Sequence, residues 1–175
     1  NIRLWLATLL ATKIFTASKA SFRLRNKKIE IVGHGIDLFA IPARIKEIGQ
    51  TVELLSAGRV SSVKDLETVI LAVNLLAQKE ILVHLDVIGP AITSADTAYK
   101  QTLVQLAHKL RLEKCVRFVG AMPHQDLLKQ YARHDIFIHT SKTGSIDKTV
   151  LEALAAGLPV VTSSEAFQEV GDLVC

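Results

Sequence analysis

The sequence predicts an α/β chain built on a doubly wound parallel sheet, and three observations carry that expectation. From residue 51 onward, short apolar runs alternate with stretches of helical period in the order strand, helix, strand, helix, strand, helix, strand, helix, strand. The chain is 49% hydrophobic and only 5% aromatic, with Leu, Ile, Val and Ala dominant, which suits strands buried on both faces under covering helices. Several of the apolar runs close on a glycine (Gly58, Gly89, Gly120), where a strand gives way to a loop. With 175 residues, the chain is long enough for one sizeable domain.

The elements follow in order. Ile2–Ala11 has helical composition. Lys13–Ala17 is a short strand candidate, and Ser18 starts a turn that runs to about Arg25. Lys28–Val32 alternates like a strand and leads into Gly33-His34-Gly35-Ile36-Asp37, where two glycines around a His let the backbone approach a partner closely. Pro42–Gly49 reads as a connector. Thr51–Ala57 is a strand with the exit loop Gly58–Asp65. Asp65–Gln78 places Leu66, Val69, Ile70, Val73 and Leu76 on one helical face. His84–Ile88 is a strand, and Ser94 or Asp96 starts a helix with Leu103, Leu106, Ala107 and Leu110 along one side. Cys115–Val119 is a strand and His124–Arg133 a short helix.

The densest stretch is Asp135–Ser164. Ile136–His139 is a strand, Thr140–Ile146 a polar loop, and Asp147 or Thr149 caps a helix that ends at Gly157, before the strand from Pro159. Such a loop lies at the carboxyl end of a strand and at a helix start, the corner where open parallel sheets bind ligands. Free N–H groups and the helix dipole suit a phosphate there.

Composition excludes several function classes. Residues 1–28 hold seven of the 21 Lys and Arg and none of the 17 Asp and Glu, so the remainder is slightly acidic. A nucleic-acid binder would show a basic stripe with interleaved aromatics across its domain, which is absent. The basic start is either a solvated surface or a contact for acidic headgroups or an anionic substrate. The two cysteines, Cys115 and Cys175, give neither a disulfide framework nor a metal site, and Cys115 is expected to be a small buried hydrophobe in a reducing, cytoplasmic setting. No apolar run reaches the ~18 residues of a spanning helix. No Walker loop, Gly-x-Ser-x-Gly elbow or Gly-x-Gly-x-x-Gly fingerprint is present. Met122 is the only methionine and the apolar run at Val170–Cys175 is unfinished, so the chain is expected to be a fragment.

Four loops are expected to converge on one ligand from strand ends: Gly33–Asp37, Gly58–Lys64, Gly120–His124 and Thr140–Asp147. Arg59 and Lys64 are the cations of their loop; together they suit a diphosphate clamp, Arg as a fork and Lys as a point charge. The plainer reading makes Lys64 a surface residue and pairs Arg59 with a local acid. Glu152 is either a solvent-facing acid or an acceptor for hydroxyls such as a ribose diol. His34 and His139 each end a strand, where a His is more often a structural hydrogen bonder than a catalyst.

Taken together, these residues resemble the C-terminal, donor-binding domain of family 4 retaining glycosyltransferases, which have the GT-B fold of two Rossmann-like halves. The resemblance is carried in order by Phe15–Ser18, Val32–Phe39, Leu55–Val60 with Lys64, Val119-Gly120 with Leu127 and Tyr131, and Leu151–Val161. It implies that residues 1–27 are the tail of an N-terminal domain with the interdomain segment, and that residues 28–175 are a truncated nucleotide-sugar-binding domain. Arg59 and Lys64 would be the catalytic cations that neutralise a diphosphate leaving group. Gly35, Gly58, Met122, Gly144, Ser145, Asp147, Thr149, Val150 and Glu152 would complete the donor site, with amides near Thr149 and Val150 on the diphosphate, Glu152 on the ribose and Ala121–Met122 at the base. The family pattern has a Glu at the position of Gly144, which contacts the donor sugar; here that role passes to Asp147 or to loop amides, or is absent.

The resemblance further implies a nucleotide-sugar donor, no metal and no other cofactor. A glycan or lipid acceptor would be held by an N-terminal domain, and the setting would be cytoplasmic, with peripheral contact at the inner membrane face. The alternative is a non-catalytic nucleotide- or nucleotide-sugar-binding regulatory module of similar fold.

Overall fold

A computed structural model describes residues 2–17, 21–22, 24, 26–43, 47, 49–142 and 146–170. The core is a five-stranded parallel sheet of β3 (Val52–Ala57), β4 (Val83–Ile88), β5 (Val116–Gly120), β6 (Ile136–His139) and β7 (Val160–Thr162). Its spatial order is β5-β4-β3-β6-β7. The chain thus winds outward from β3 through β4 to β5, returns across the sheet, and winds the other way through β6 to β7. β3 and β6 lie side by side with Leu54 opposite Ile136 and Leu55 opposite Phe137.

Alternation along the strands divides the core into two. Leu54, Val83, Leu85, Val87 and Val116 face α2 (Leu66–Gln78) and α3 (Ser94–Lys109), packing against Val69, Ile70, Val73 and Leu103. Leu55, Ala57, Phe137 and Val160 face the opposite way, against Leu128 and Tyr131 of α4 (His124–Tyr131) and Val150 and Ala153 of α5 (Lys148–Ala155). Helices on both faces bury the central strands β3 and β4 along most of their length, while β5 and β7 at the edges keep exposed residues, and the buried strands read as continuous apolar runs in the sequence.

At its amino end the β3–β6 pair is fastened by Asp135, which is fully buried. Its amide donates to the Glu53 carbonyl at 2.7 Å and its carboxylate accepts from the Glu53 amide at 2.8 Å. β4 and β5 are keyed by Arg117, whose guanidinium grips buried Asp86 with both prongs at 2.7 and 2.6 Å.

α1 (Ile2–Leu10) forms where the sequence placed it, while two expectations change, at the first strands and at Cys115. β1 (Ile14–Thr16) and β2 (Ile29–Ile31) pair with each other in a separate two-stranded parallel sheet, so the Gly33–Asp37 loop does not leave the carboxyl edge of the main sheet. The helix expected from Ser94 or Asp96 does start at Ser94, and Thr93 caps it: its hydroxyl accepts from the Asp96 amide at 3.1 Å while the Asp96 carboxylate accepts from the Thr93 amide at 3.1 Å, a reciprocal capping box. Cys115 is half-buried at the margin of the α2/α3 core rather than enclosed. The turn expected at Ser18 and the end at Gly171–Cys175 lie outside the described residues.

Candidate functional site

The reversal of winding puts the carboxyl ends of β3 and β6 next to each other, and the loops that leave them form one concave edge. In an open α/β sheet this switch point is where a ligand has room between diverging loops. Gly58, Arg59 and Lys64 from the first loop and His139 and Thr140 from the second line a small shared cavity. Both cations expected to meet a diphosphate therefore arrive at the same place, and Arg59 stays about half exposed with Asp96 3.9 Å from its Nε. At that distance and exposure the Asp96 contact is weak, so Arg59 is held loosely enough to take a stronger anion.

The turn into this loop depends on two glycines. Gly58 has φ +139° and Gly89, at the end of β4, has φ +145°. A Cβ on Gly89 would lie 1.8 Å from the Gly58 carbonyl oxygen. The Gly89 backbone is thus pressed against the start of the Arg59 loop, while Val60 N–H donates to the Pro90 carbonyl at 2.9 Å to hold the loops together. Gly89-Pro90 read in the sequence only as a strand stop.

Lys64 is anchored at its head. Its ammonium pairs with the Asp147 carboxylate, and the same oxygen of Asp147 meets His139 Nε2 at 2.5 Å. His139 is buried and in turn contacts the Thr162 hydroxyl through Nδ1 at 2.9 Å, with Phe167 edge-on to its ring. Asp147 was expected to cap α5; it holds the N-cap position but makes no side-chain capping bond, because its carboxylate is turned toward Lys64 and His139. Burial alone would raise the Asp147 carboxyl, but the hydrogen bonds and charges of His139 and Lys64 outweigh it and hold the carboxyl at about 2.

That depressed value lies below the ordinary carboxylate value of about 3.9, so Asp147 binds its proton more tightly in the unfolded chain. Its stabilising contribution is present above about pH 4 and is lost as the pH falls toward 2. Thermal unfolding of the wild type and Asp147→Asn from pH 5 to pH 2 is expected to show a gap in midpoint at pH 5 that closes at the acid end. A gap independent of pH would mean the carboxylate is not held by these partners.

Glu152 is 6% exposed and is not the solvent-facing acid of the plainer reading. Oε2 accepts from the hydroxyl of fully buried Tyr131 at 2.9 Å, and Oε1 lies 2.9 Å from Nε2 of His124. Burial first, and then the Glu152 charge, push the Tyr131 phenol far above its ordinary value, so it remains a donor throughout the accessible pH range. His124 lies at the start of α4, the helix that brings the chain back from the β5 edge, and so the Gly120–His124 loop does reach this side of the sheet. His124 and Tyr131 as partners of Glu152 escaped the sequence reading, since neither lies near it in the chain.

The other expected residues fall as follows. Met122 is half-buried against the α4/α5 core, on the loop that leads to His124. Val150 is buried, and its N–H is committed to the Asp147 carbonyl at 3.1 Å inside the first turn of α5, so it is not an amide offered to a ligand; Thr149 beside it is half-buried. Gly35 is exposed after β2, on a loop that the main sheet does not bring to this edge. Gly144 and Ser145 lie outside the described residues. Among the described residues, no group of three or more His, Cys, Asp or Glu side chains is arranged to hold a metal ion, and no helix is long and apolar enough to cross a membrane.

A family model described as Glycosyl transferases group 1 matches residues 39–170, the whole of the five-stranded sheet and both loops of the switch point. The chain belongs to this family. Among group 1 relatives, a glycogen synthase of Mycobacterium tuberculosis strain H37Rv is 32% identical over 140 residues, covering 78% of this chain and 32% of its own length. A mannosylfructose-phosphate synthase of Agrobacterium fabrum is 30% identical over 112 residues, covering 63% of this chain and 25% of its own. In structure, the chain is similar to Anabaena HepE solved in complex with UDP and glucose, with a TM-score of 0.85 and 21% identity over 98% of this chain and 50% of that one. That likeness shows the fold: a Rossmann-like sheet equivalent to one half of a GT-B glycosyltransferase. The chain spans about a third or less of these sequence relatives and half of HepE.

Proposed function

We propose that this chain is the donor-binding part of a retaining glycosyltransferase, which transfers a sugar from a nucleotide-diphosphate sugar to an acceptor glycan or lipid held by an N-terminal domain. The observation that carries the reading is the meeting of Arg59 and Lys64 with the β6 loop at the switch point of a group 1 sheet. HepE, similar over nearly the whole of this chain, is bound to UDP and glucose, which supports a nucleotide-sugar donor.

In this reading the diphosphate is the leaving group. Arg59 takes two of its oxygens as a fork, and Lys64 adds a point charge as negative charge develops on departure. An ammonium has three N–H donors, so Lys64 can keep Asp147 and still offer two to phosphate. Asp147 lies three residues after Gly144, the family Glu position, in the sequence, and its second carboxylate oxygen is the acceptor we assign to a sugar hydroxyl. Glu152 holds the ribose, with Tyr131 fixing its rotamer from below and His124 yielding one carboxylate oxygen to the diol. The backbone at Ala121–Met122 meets the base. Two cations at the leaving group make a metal unnecessary, and the reaction proceeds on the cytoplasmic side, at the inner membrane face when the acceptor is a lipid.

Calorimetric titration of the chain with UDP, GDP and ADP, with and without EDTA, tests this. One of the three is expected to bind in the micromolar to millimolar range, unaffected by EDTA. Glu152→Ala is expected to weaken that nucleoside diphosphate on the order of tenfold while leaving pyrophosphate unchanged. Absence of binding by all three to the folded chain would sink the reading.

A further inference from the structure

We propose that Thr140 is the positioning residue for Lys64, and that the loop after β6 sets where the Lys64 ammonium points. The inference rests on the reading that Lys64 receives the donor's diphosphate. The Thr140 hydroxyl lies 2.8 Å from the Lys64 carbonyl and 3.0 Å from the Asp65 carbonyl, sharing its hydrogen between them. Two residues on, Lys142 N–H donates to the Val63 carbonyl at 2.9 Å. Three consecutive carbonyls of the Lys64 loop are therefore gripped by a segment 75 or more residues away in the chain. The exposed Lys142 ammonium adds a pair with half-buried Asp65 at 3.2 Å.

The grip matters because of the conformation it maintains. Asp65 has φ 48° and ψ 44°, the left-handed region that a residue with a Cβ adopts only when its surroundings insist. Its local backbone bonds are short-range: the Asp65 N–H donates to the Ser62 carbonyl at 3.3 Å, and the Asp65 carbonyl accepts from the Thr68 N–H at 3.1 Å. The Asp65 side chain makes no capping bond at the start of α2, and its contacts with the Thr68 hydroxyl and the exposed Lys142 ammonium are individually weak. The Thr140 hydroxyl bridges the peptides on either side of the strained residue, so it is the contact best placed to keep the turn. If the turn relaxes toward the right-handed region, the peptide between Lys64 and Asp65 swings and carries the Lys64 side chain with it. Asp147 holds the Lys64 head and Thr140 holds its backbone, and both belong to the chain that follows β6. In the sequence Thr140 is one polar residue among several in a loop; the contact that distinguishes it is tertiary.

Two variants separate this role from a general contribution to folding. Thr140→Val keeps the shape of the side chain and removes the donor; Thr140→Ser keeps the donor. The first readout needs no nucleotide: acylation of lysine amines, followed by mass spectrometry, with exposed Lys114 as internal reference. Lys64 is expected to label several times faster in Thr140→Val than in the wild type, and at the wild-type rate in Thr140→Ser. The second readout is calorimetric titration with whichever of UDP, GDP and ADP binds the wild type. Its dissociation constant is expected to rise on the order of tenfold in Thr140→Val and to return in Thr140→Ser, with the thermal midpoints of all three proteins within a few degrees. Unchanged Lys64 labelling in Thr140→Val, or equal weakening of binding in both variants, would overturn the inference. Wild-type protein that binds no nucleoside diphosphate would instead remove the donor reading, while the labelling comparison would still decide whether Thr140 holds Lys64.

Discussion

Replacing Arg59 and Lys64 together with alanine is expected to reduce affinity for the nucleoside diphosphate by about a hundredfold or more, since each charged hydrogen-bonding partner of a phosphate is worth about 1.5–3 kcal/mol. The loss falls on binding rather than folding. Arg59 is half exposed and its nearest acid stands 3.9 Å away, so its removal leaves no buried group stranded. Removing Lys64 takes one partner from Asp147, which keeps His139. Arg59→Lys is expected to recover only part of the affinity, because an ammonium cannot reproduce the two-pronged contact. Titration of the two variants and the wild type beside a thermal melt of each checks the prediction. A double variant that is folded and binds as the wild type does would leave the leaving-group role without its residues.

Gly89→Ala is expected to be the most damaging single change, costing about 3 kcal/mol or more of stability. The new methyl would stand 1.8 Å from one backbone atom and 2.6 Å from another, and backbone cannot turn aside as a side chain does. It would also force alanine to φ +145°, where only glycine is at ease. The Gly58 N–H bond to Ile88 and the Val60 N–H bond to Pro90, both 2.9 Å, join the same two loops and would be strained together. Gly58→Ala makes the informative comparison: its methyl would meet only Lys64 Cε at 3.8 Å, so its cost is that of the backbone angle, about 1–3 kcal/mol. Denaturant midpoints that rank Gly58→Ala as the more harmful of the two would contradict this geometry.

The order of elements was legible because the central strands are buried on both faces and the helices on one. From Val52 to Thr162 every strand and helix appears where apolar runs and helical periods placed it, with starts and ends shifted by a residue or two. Arg59 and Lys64 were legible for the same reason, since a cation at a strand exit has a position as soon as the strand does. What stayed hidden is whatever depends on which strands become neighbours. Asp147 could be read as a cap because its neighbours in the chain suggested one; its real partners are Lys64, on the loop of the neighbouring strand β3, and His139, a strand end whose ring direction no periodicity predicts. Glu152 kept two readings until Tyr131 and His124 came beside it. The pairing of β2 with β1 was equally unreadable, because a three-residue strand carries no mark of the sheet it joins.

The adjacency of β3 and β6 also bears on the order in which the molecule assembles. β3 through β5 can associate by successive right-handed crossovers between neighbours in the chain. β6 must instead dock against a strand formed some 80 residues earlier: Glu53 meets Asp135 at a separation of 82 and Lys64 meets Asp147 at 83. Closing so long a loop is slow compared with local pairing, so the edge where Arg59 and Lys64 meet the β6 loop forms after the β3–β5 half of the sheet. A nascent chain released before β6 would carry Arg59 and Lys64 on an open flank of apolar strand, and the time spent in that state, rather than the final stability, would govern how readily it aggregates.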